Sequence, residues 1–213
     1  PERITKHVGA LQHPVVDRGD GRWMSDTTPI LLQLEKERPD HPILPSDSVV
    51  RFIALLIEDY ADEYLWRSAM HYRWSYRLNR LLLSEILTEE LRGNSRRIPD
   101  FVLKRMIARR QLHHFVERDG VTKRTRDNVE HGYLAALDGM SAMLATRPFV
   151  LGAAPSIADY GLMAPMFRHF SQDPVPAEIM RTRAPAVYEW VARMWNAKPD
   201  DTAGFVEEVP ADA

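Results

Sequence analysis

The residues best suited to chemistry stand at a helix start, Asp26–Thr27–Thr28–Pro29. Pro29 fits the first helical turn, where its missing N–H removes no hydrogen bond. Such a start offers backbone N–H groups without helical partners, the Thr27 hydroxyl and the positive end of the helix dipole, a combination that receives a carboxylate. Asp26 beside it suits an ammonium group, and the same two side chains would serve equally as a plain helix cap. A second pair of carboxylates, Asp59 and Glu63, lies one turn apart. Paired carboxylates do acid–base or metal chemistry, or, with Arg67 four residues after Glu63, make a surface ion pair. Tyr60, Tyr64, Trp66, Tyr72, Trp74 and Tyr76 crowd the same stretch, where they either line an apolar pocket or fill a core. Ser156 and Asp159 have the spacing of a capping box, with Gly152 permitting the turn before it. The eight histidines, His113, His114 and His131 among them, show no spacing with carboxylates that defines a metal site, so no metal is expected. Gly19 and Gly21 belong to a turn and not to a phosphate cradle, because no Lys-Ser/Thr follows them.

The elements that must hold these residues follow from turn chemistry and periodicity. Val15–Val16 and Arg22–Trp23–Met24 flank the turn-rich Asp17–Arg18–Gly19–Asp20–Gly21, the pattern of a β-hairpin. A helix carrying Ile30, Leu31 and Leu34 then runs from Asp26 to before Pro39. Residues 39–46 hold three prolines and form a linker, which marks a domain boundary. Beyond it the chain reads as helix throughout: one long helix from Asp47 or Ser48 to the Gly93–Asn94 break, a second over 99–118, and a third over 124–145. A fourth opens at the capping box, with Pro165 expected to kink it, and two shorter ones cover 177–183 and 185–196. The acidic, Pro- and Ala-bearing residues 201–213 read as a tail.

With 213 residues, 45% of them hydrophobic, the chain is long enough to bury a sizeable core. A net charge of -2 gives no global attraction to nucleic acid or to a membrane surface, and no partner of either kind is expected. There is no apolar run of about 18 residues such as a transmembrane helix needs. The absence of cysteine excludes disulfides, thiolate metal sites and a cysteine nucleophile from these residues, and fits a reducing cytoplasm. The start on Pro1–Glu2–Arg3 has no signal-peptide character and is that of a processed or incomplete chain.

The order of these pieces resembles the glutathione transferase superfamily. His13–Pro14–Val15–Val16–Asp17 looks like that family's cis-proline turn entering a strand. Asp26–Thr27–Thr28–Pro29–Ile30 looks like its acidic-plus-hydroxyl pair at a helix start, and Ser156–Ile157–Ala158–Asp159 like its helical-domain capping box. The resemblance implies a mainly α fold: an all-helical transferase-type C-terminal domain over 47–200, preceded by a partial thioredoxin-like α/β domain over 1–38. It implies glutathione as co-substrate, a small electrophile as acceptor, a homodimer and a cytoplasmic location. In such a protein Asp26 and Thr27 would hold the γ-glutamyl end, and the backbone of His13 before Pro14 would pair with the extended tripeptide. Tyr60 and Tyr64 would border the acceptor pocket. The family's first β-α-β unit carries the thiol-activating Ser, Tyr or Cys. Such a unit needs about 30 residues, more than precede Pro14, so that catalytic residue is expected in an absent N-terminal part.

One segment departs from a minimal family member. Residues 92–126 hold eleven Lys and Arg against three acids, and the rest of the chain is correspondingly acidic. The segment is either a basic face for an anionic partner, which would make the protein a non-catalytic binding or scaffolding module on the same fold, or a solvated helix face with acidic neighbours. Aromatics are not interleaved as a base-stacking platform requires.

Overall fold

The structure is a computed structural model that describes residues 2–9, 13–92, 98–198 and 204–212. It divides into two compact units, Pro1–Leu44 and Pro45–Ala213.

In the first unit a short helix α1 (Glu2–Val8), which the sequence pattern does not announce, precedes a hairpin of β1 (Val15–Asp17) and β2 (Trp23–Ser25). The strands are antiparallel, with Val15 opposite Ser25 and Asp17 opposite Trp23. The Asp17 carboxylate accepts the Gly19 N–H at 3.0 Å and so closes the turn. Helix α2 (Thr27–Glu37) follows and buries Ile30. Glu35 turns the Pro-rich segment back onto α2 by accepting the N–H groups of Ile43 at 2.8 Å and Leu44 at 3.2 Å.

The second unit is helical. Asp47 caps α3 (Ser48–Asp59), accepting the N–H groups of Val49 and Val50, both at 2.9 Å. A wide π turn, Tyr60–Tyr64, joins α3 to α4 (Leu65–Ser75). The single helix expected to run to Gly93 is instead broken at Tyr76, whose backbone is extended (φ -78°, ψ 130°) before α5 (Arg77–Leu91). No Gly or Pro marks the break. Side chains replace the lost backbone donors: Asn79 Nδ2 donates to the Tyr72 carbonyl at 2.9 Å, and Arg80 to those of Trp74 and Ser75 at 3.0 and 3.2 Å. The Gly93–Asn94 break itself lies outside the described residues, as do Arg96 and Arg97 of the basic segment.

Helix α6 (Asp100–Leu112) runs into a second π turn, His113–Glu117, and α7 (Arg126–Leu144) follows. Helix α8 (Ile157–Pro165) ends at its internal proline in a third π turn, Met166–Phe170, and α9 (Pro174–Arg183) and α10 (Pro185–Trp195) complete the unit. Leu65, Tyr72, Tyr133, Ile157, Phe170 and Trp190 are among the fully buried side chains of its core. Tyr133 stacks on Phe170 with ring centroids 4.0 Å apart and donates its hydroxyl to the Pro176 carbonyl at 2.9 Å.

The C-terminal residues are docked. Val206 N–H donates to the Leu151 carbonyl at 2.9 Å, Ala153 N–H to that of Gly204 at 3.1 Å, and Asp212 pairs with Arg147 at 2.6 Å. Gly152 (φ 153°) makes this possible, since a Cβ there would stand 2.7 Å from the Gly204 carbonyl oxygen.

Candidate functional site

In the first unit the hairpin register gathers four of the expected site residues. Val15 pairs with Ser25, so His13–Pro14, just before β1, and Asp26–Thr27, just after β2, share the open end of the hairpin. The His13–Pro14 peptide bond is cis. His13, Pro14 and Asp26 are exposed and Thr27 is half-buried. Asp26 has φ 79° and ψ 136° and is the one non-glycine residue with positive φ among the described residues. Such a backbone costs on the order of 1–3 kcal/mol and persists only where its surroundings impose it. The Asp26 side chain makes no capping bond to α2, so capping does not account for its presence. The first backbone bond of α2 is Ile30 N–H to the Asp26 carbonyl at 3.3 Å, which leaves the Thr27 N–H ahead of the helical ladder. The arrangement can hold a zwitterion, its carboxylate on the helix start and its ammonium on Asp26.

In the second unit the aromatic cluster splits. Tyr72 and Trp74 belong to the core. Tyr60 and Tyr64 lie on the π turn with rings stacked 5.1 Å apart, and Tyr64 is 41% exposed. Burial raises the Tyr60 phenol above its usual value, with Tyr64 adding to the shift, so it stays protonated at neutral pH. Gly132 of α7 makes room for Tyr64: a Cβ there would meet its ring at 3.0 Å. Asp59 and Glu63 are both exposed. No Glu63–Arg67 ion pair forms among the described residues, because the π turn inserts an extra residue per turn and breaks the four-residue stagger that the pair needs. The same residues contain no group of three side chains able to hold a metal ion and no helix long and apolar enough to cross a membrane.

Ser156 and Asp159 are fully buried and form the expected capping box. Asp159 does more than cap. Its Oδ2 accepts the Ser156 N–H and hydroxyl, both at 2.9 Å, while its Oδ1 accepts the Val150 N–H at 2.9 Å and the Trp190 indole N–H at 3.0 Å.

A polar cleft of about 300 Å³ has no counterpart in the sequence reading. Its walls are His71, Ser75, Tyr76, Arg126, Asp127 and Glu130. Glu130 Oε1 receives His71 Nε2 at 2.8 Å and the Tyr76 hydroxyl at 2.9 Å, while His71 Nδ1 is buried without a partner. Burial, reinforced by Glu130, pushes the Tyr76 phenol up to about 12. Residues 54 and 59 positions apart meet here, a pairing that no local spacing could reveal.

Residues 125–193, essentially α7 to α10, match the family described as Glutathione S-transferase, C-terminal domain. No curated protein matches the sequence. Among solved structures the chain is similar to the beta-etherase LigF from Sphingobium sp. strain SYK-6, at a TM-score of 0.61 and 18% identity, over 93% of this chain and 79% of that one. At that identity the likeness is one of fold. The family match identifies residues 125–193 as a glutathione S-transferase C-terminal domain, and the structural likeness extends a shared fold over most of the chain.

Proposed function

We propose that this protein uses the thiolate of glutathione against a small electrophilic substrate. The observation that carries the reading is Asp26, an exposed carboxylate held at positive φ beside a helix start that it does not cap. That placement fits the γ-glutamyl group: its α-carboxylate on the Thr27 N–H and hydroxyl, its ammonium on Asp26. The backbone of His13, at the edge of β1 away from β2, pairs with the extended peptide as an added strand, and Pro14 shapes that end of the hairpin. In this reading the first unit belongs to a thioredoxin-like module. The π turn with Tyr60 and Tyr64 supplies apolar, protonated aromatic surface for the acceptor. The sulfur forms a bond to the electrophilic carbon and the leaving group departs with its electron pair. Asp26, Thr27 and His13 serve by holding the peptide in one fixed, extended geometry. No described residue is assigned the lowering of the thiol pKa. The chain works as a cytoplasmic homodimer, and the beta-etherase activity of its structural neighbour fits a glutathione-consuming reaction.

The test is calorimetric titration with glutathione of the wild type and of Asp26→Asn. Asn tolerates positive φ and keeps the shape, so only the charge is lost. One charge-assisted hydrogen bond is worth about 1.5–3 kcal/mol, so affinity should fall at least about tenfold with an unchanged helical circular dichroism spectrum. Wild type that takes up no heat, or a variant that binds as well as wild type, refutes the assignment.

A further inference from the structure

Helix α5 is built inside out. Its buried residues are Asn79, Ser84 and Thr88, while Leu78, Leu81, Leu82, Ile86 and Leu91 are exposed. A surface helix ordinarily buries its apolar stripe and shows its polar one. Here leucines at steps of three and four residues face outward, the pattern of a helix that has a further partner. Beside it, α6 leaves Phe101 75% exposed and Met106 55% exposed. Together the two helices flank an open groove of about 1280 Å³ whose apolar lining includes Leu81, Phe101, Met106, Ala108 and Leu112.

The charged part of this lining is net cationic. Lys104 is paired with Glu85, and His113 with Glu117. Arg105, Arg109 and Arg110 line the groove with no carboxylate partner among the described residues. The uncompensated charge is therefore positive, in a chain whose remaining residues are acidic overall.

We infer that the α5–α6 groove docks an acidic amphipathic helix of another protein. Three features favour this occupant. The groove is concave and, from Phe101 to Leu112, extends roughly 17 Å at 1.5 Å per residue, the length of about three helical turns. It is larger than the ~300–1,000 Å³ of small-molecule pockets. An apolar lining interspersed with arginines matches a helix that carries both apolar anchors at i, i+3/i+4 and i+7 and carboxylates. A second copy would bring the same three arginines against themselves, and a flat bilayer surface does not follow the walls of a concave groove as a single helix does. This inference does not depend on glutathione use.

The experiment uses the full chain and a fluorescein-labelled 14-residue helical peptide with Leu at i, i+3/i+4 and i+7 and Glu at the flanking positions. A second peptide carries Lys in place of every Glu. We expect saturable anisotropy with the Glu peptide at micromolar concentration, affinity for the Lys peptide at least about 30-fold weaker, and affinity for the Glu peptide falling with salt. The double variant Arg105→Glu/Arg109→Glu changes only exposed side chains and should invert the preference. Leu81→Asp should weaken the Glu peptide at least about tenfold. If Leu81→Asp fails to fold by circular dichroism, the charge-reversed pair carries the test. Equal affinity for the two peptides, or no saturation with the Glu peptide, overturns the inference. Capture by phosphatidylglycerol vesicles in place of the peptide, or self-association by sedimentation that Arg105→Glu/Arg109→Glu abolishes, also overturns it.

Discussion

Replacing Asp159 by Ala should destabilise the helical unit far more than removing one helix cap. A typical cap is worth about 1 kcal/mol. Asp159 is fully buried and serves four donors: the N–H groups of Val150 and Ser156, the Ser156 hydroxyl and the Trp190 indole. The hydroxyl can turn to another acceptor, but three N–H groups would stay buried and unpaired at about 1–3 kcal/mol each. Removing the carboxylate also returns its own desolvation cost, several kcal/mol for a buried ion. The net loss should be about 3–5 kcal/mol, the cost of three unpaired donors less the returned desolvation. Asp159→Asn should lose only about 1–2 kcal/mol, because its amide oxygen still serves Val150 and Trp190 while its NH₂ opposes the Ser156 donors.

Urea unfolding measures the difference. With a slope near 2 kcal/mol/M, the alanine variant should shift its midpoint down by about 2 M. Proton exchange at the Trp190 indole N–H, followed by NMR, should accelerate in step. The pH dependence gives an independent check. Burial raises the Asp159 pKa above its ordinary 3.8, against the opposing pull of its four hydrogen bonds. A folded-state pKa above the unfolded one contributes stability that is full below 3.8 and lost as pH rises through the folded value. Wild type should therefore gain on Asp159→Asn as pH falls through that raised pKa. An alanine variant that loses less than about 1 kcal/mol, or an unchanged indole exchange rate, would refute the four-donor reasoning.

Two further outcomes concern other parts of the helical unit. Burial, then Arg73 and Arg168, push the His169 imidazole from 6.5 down to about 3, and its Nδ1 is buried without a partner. A depressed folded pKa gives stability that is present above 6.5 and lost as pH falls toward 3, at no more than about 1.4 kcal/mol per pH unit. His169→Phe keeps an aromatic ring against Trp66, so its denaturation midpoint should fall less steeply over that window; parallel curves would contradict the assignment. Gly152→Ala should displace the C-terminal segment, since the new Cβ would meet the Gly204 carbonyl oxygen and Phe205 Cα within 2.8 Å. Deuterium uptake at the Val206 amide should then rise, and unchanged protection would show that the backbone absorbs the methyl group.

What the sequence disclosed was local. The hairpin and α2 were legible because a Gly-bearing turn and Pro29 announce themselves within a few residues. The Ser156–Asp159 box was legible because its partners are three residues apart, but the other half of Asp159's work, at Val150 and Trp190, joins segments 9 and 31 positions away. The stop at Tyr76 was hidden because the groups that satisfy it are ordinary side chains, Asn79 and Arg80, which read as helix formers in sequence. The sign of α5 was hidden for a different reason. Periodicity identifies a helix with an apolar stripe but not which stripe faces in, and here the small polar residues do. At Asp26 the residue types suggested a ligand role, while the positive φ that sets it apart from a cap was visible only in the backbone.

The break at Tyr76 and the outward leucines of α5 have a common physical origin. The last turns of α4 are held by polar contacts. Arg73 grips Asp173 through two bonds of 2.7 and 2.9 Å, and His71 with Tyr76 grips Glu130. The first turn of α5 is held the same way, by Asn79, which is fully buried and accepts the Val175 N–H at 3.1 Å. These contacts are directional, and each leaves a costly unpaired group if broken. They set the departure of α5 from α4 without using its outward leucines, leaving only Leu83 and Leu87 half-buried among its apolar side chains. A helix positioned by leucine burial could not also display those leucines, because turning them outward would remove what holds it. One positioned by Asn79 and its neighbours can, and the apolar stripe beside the arginines of α6 is thereby left available to a partner.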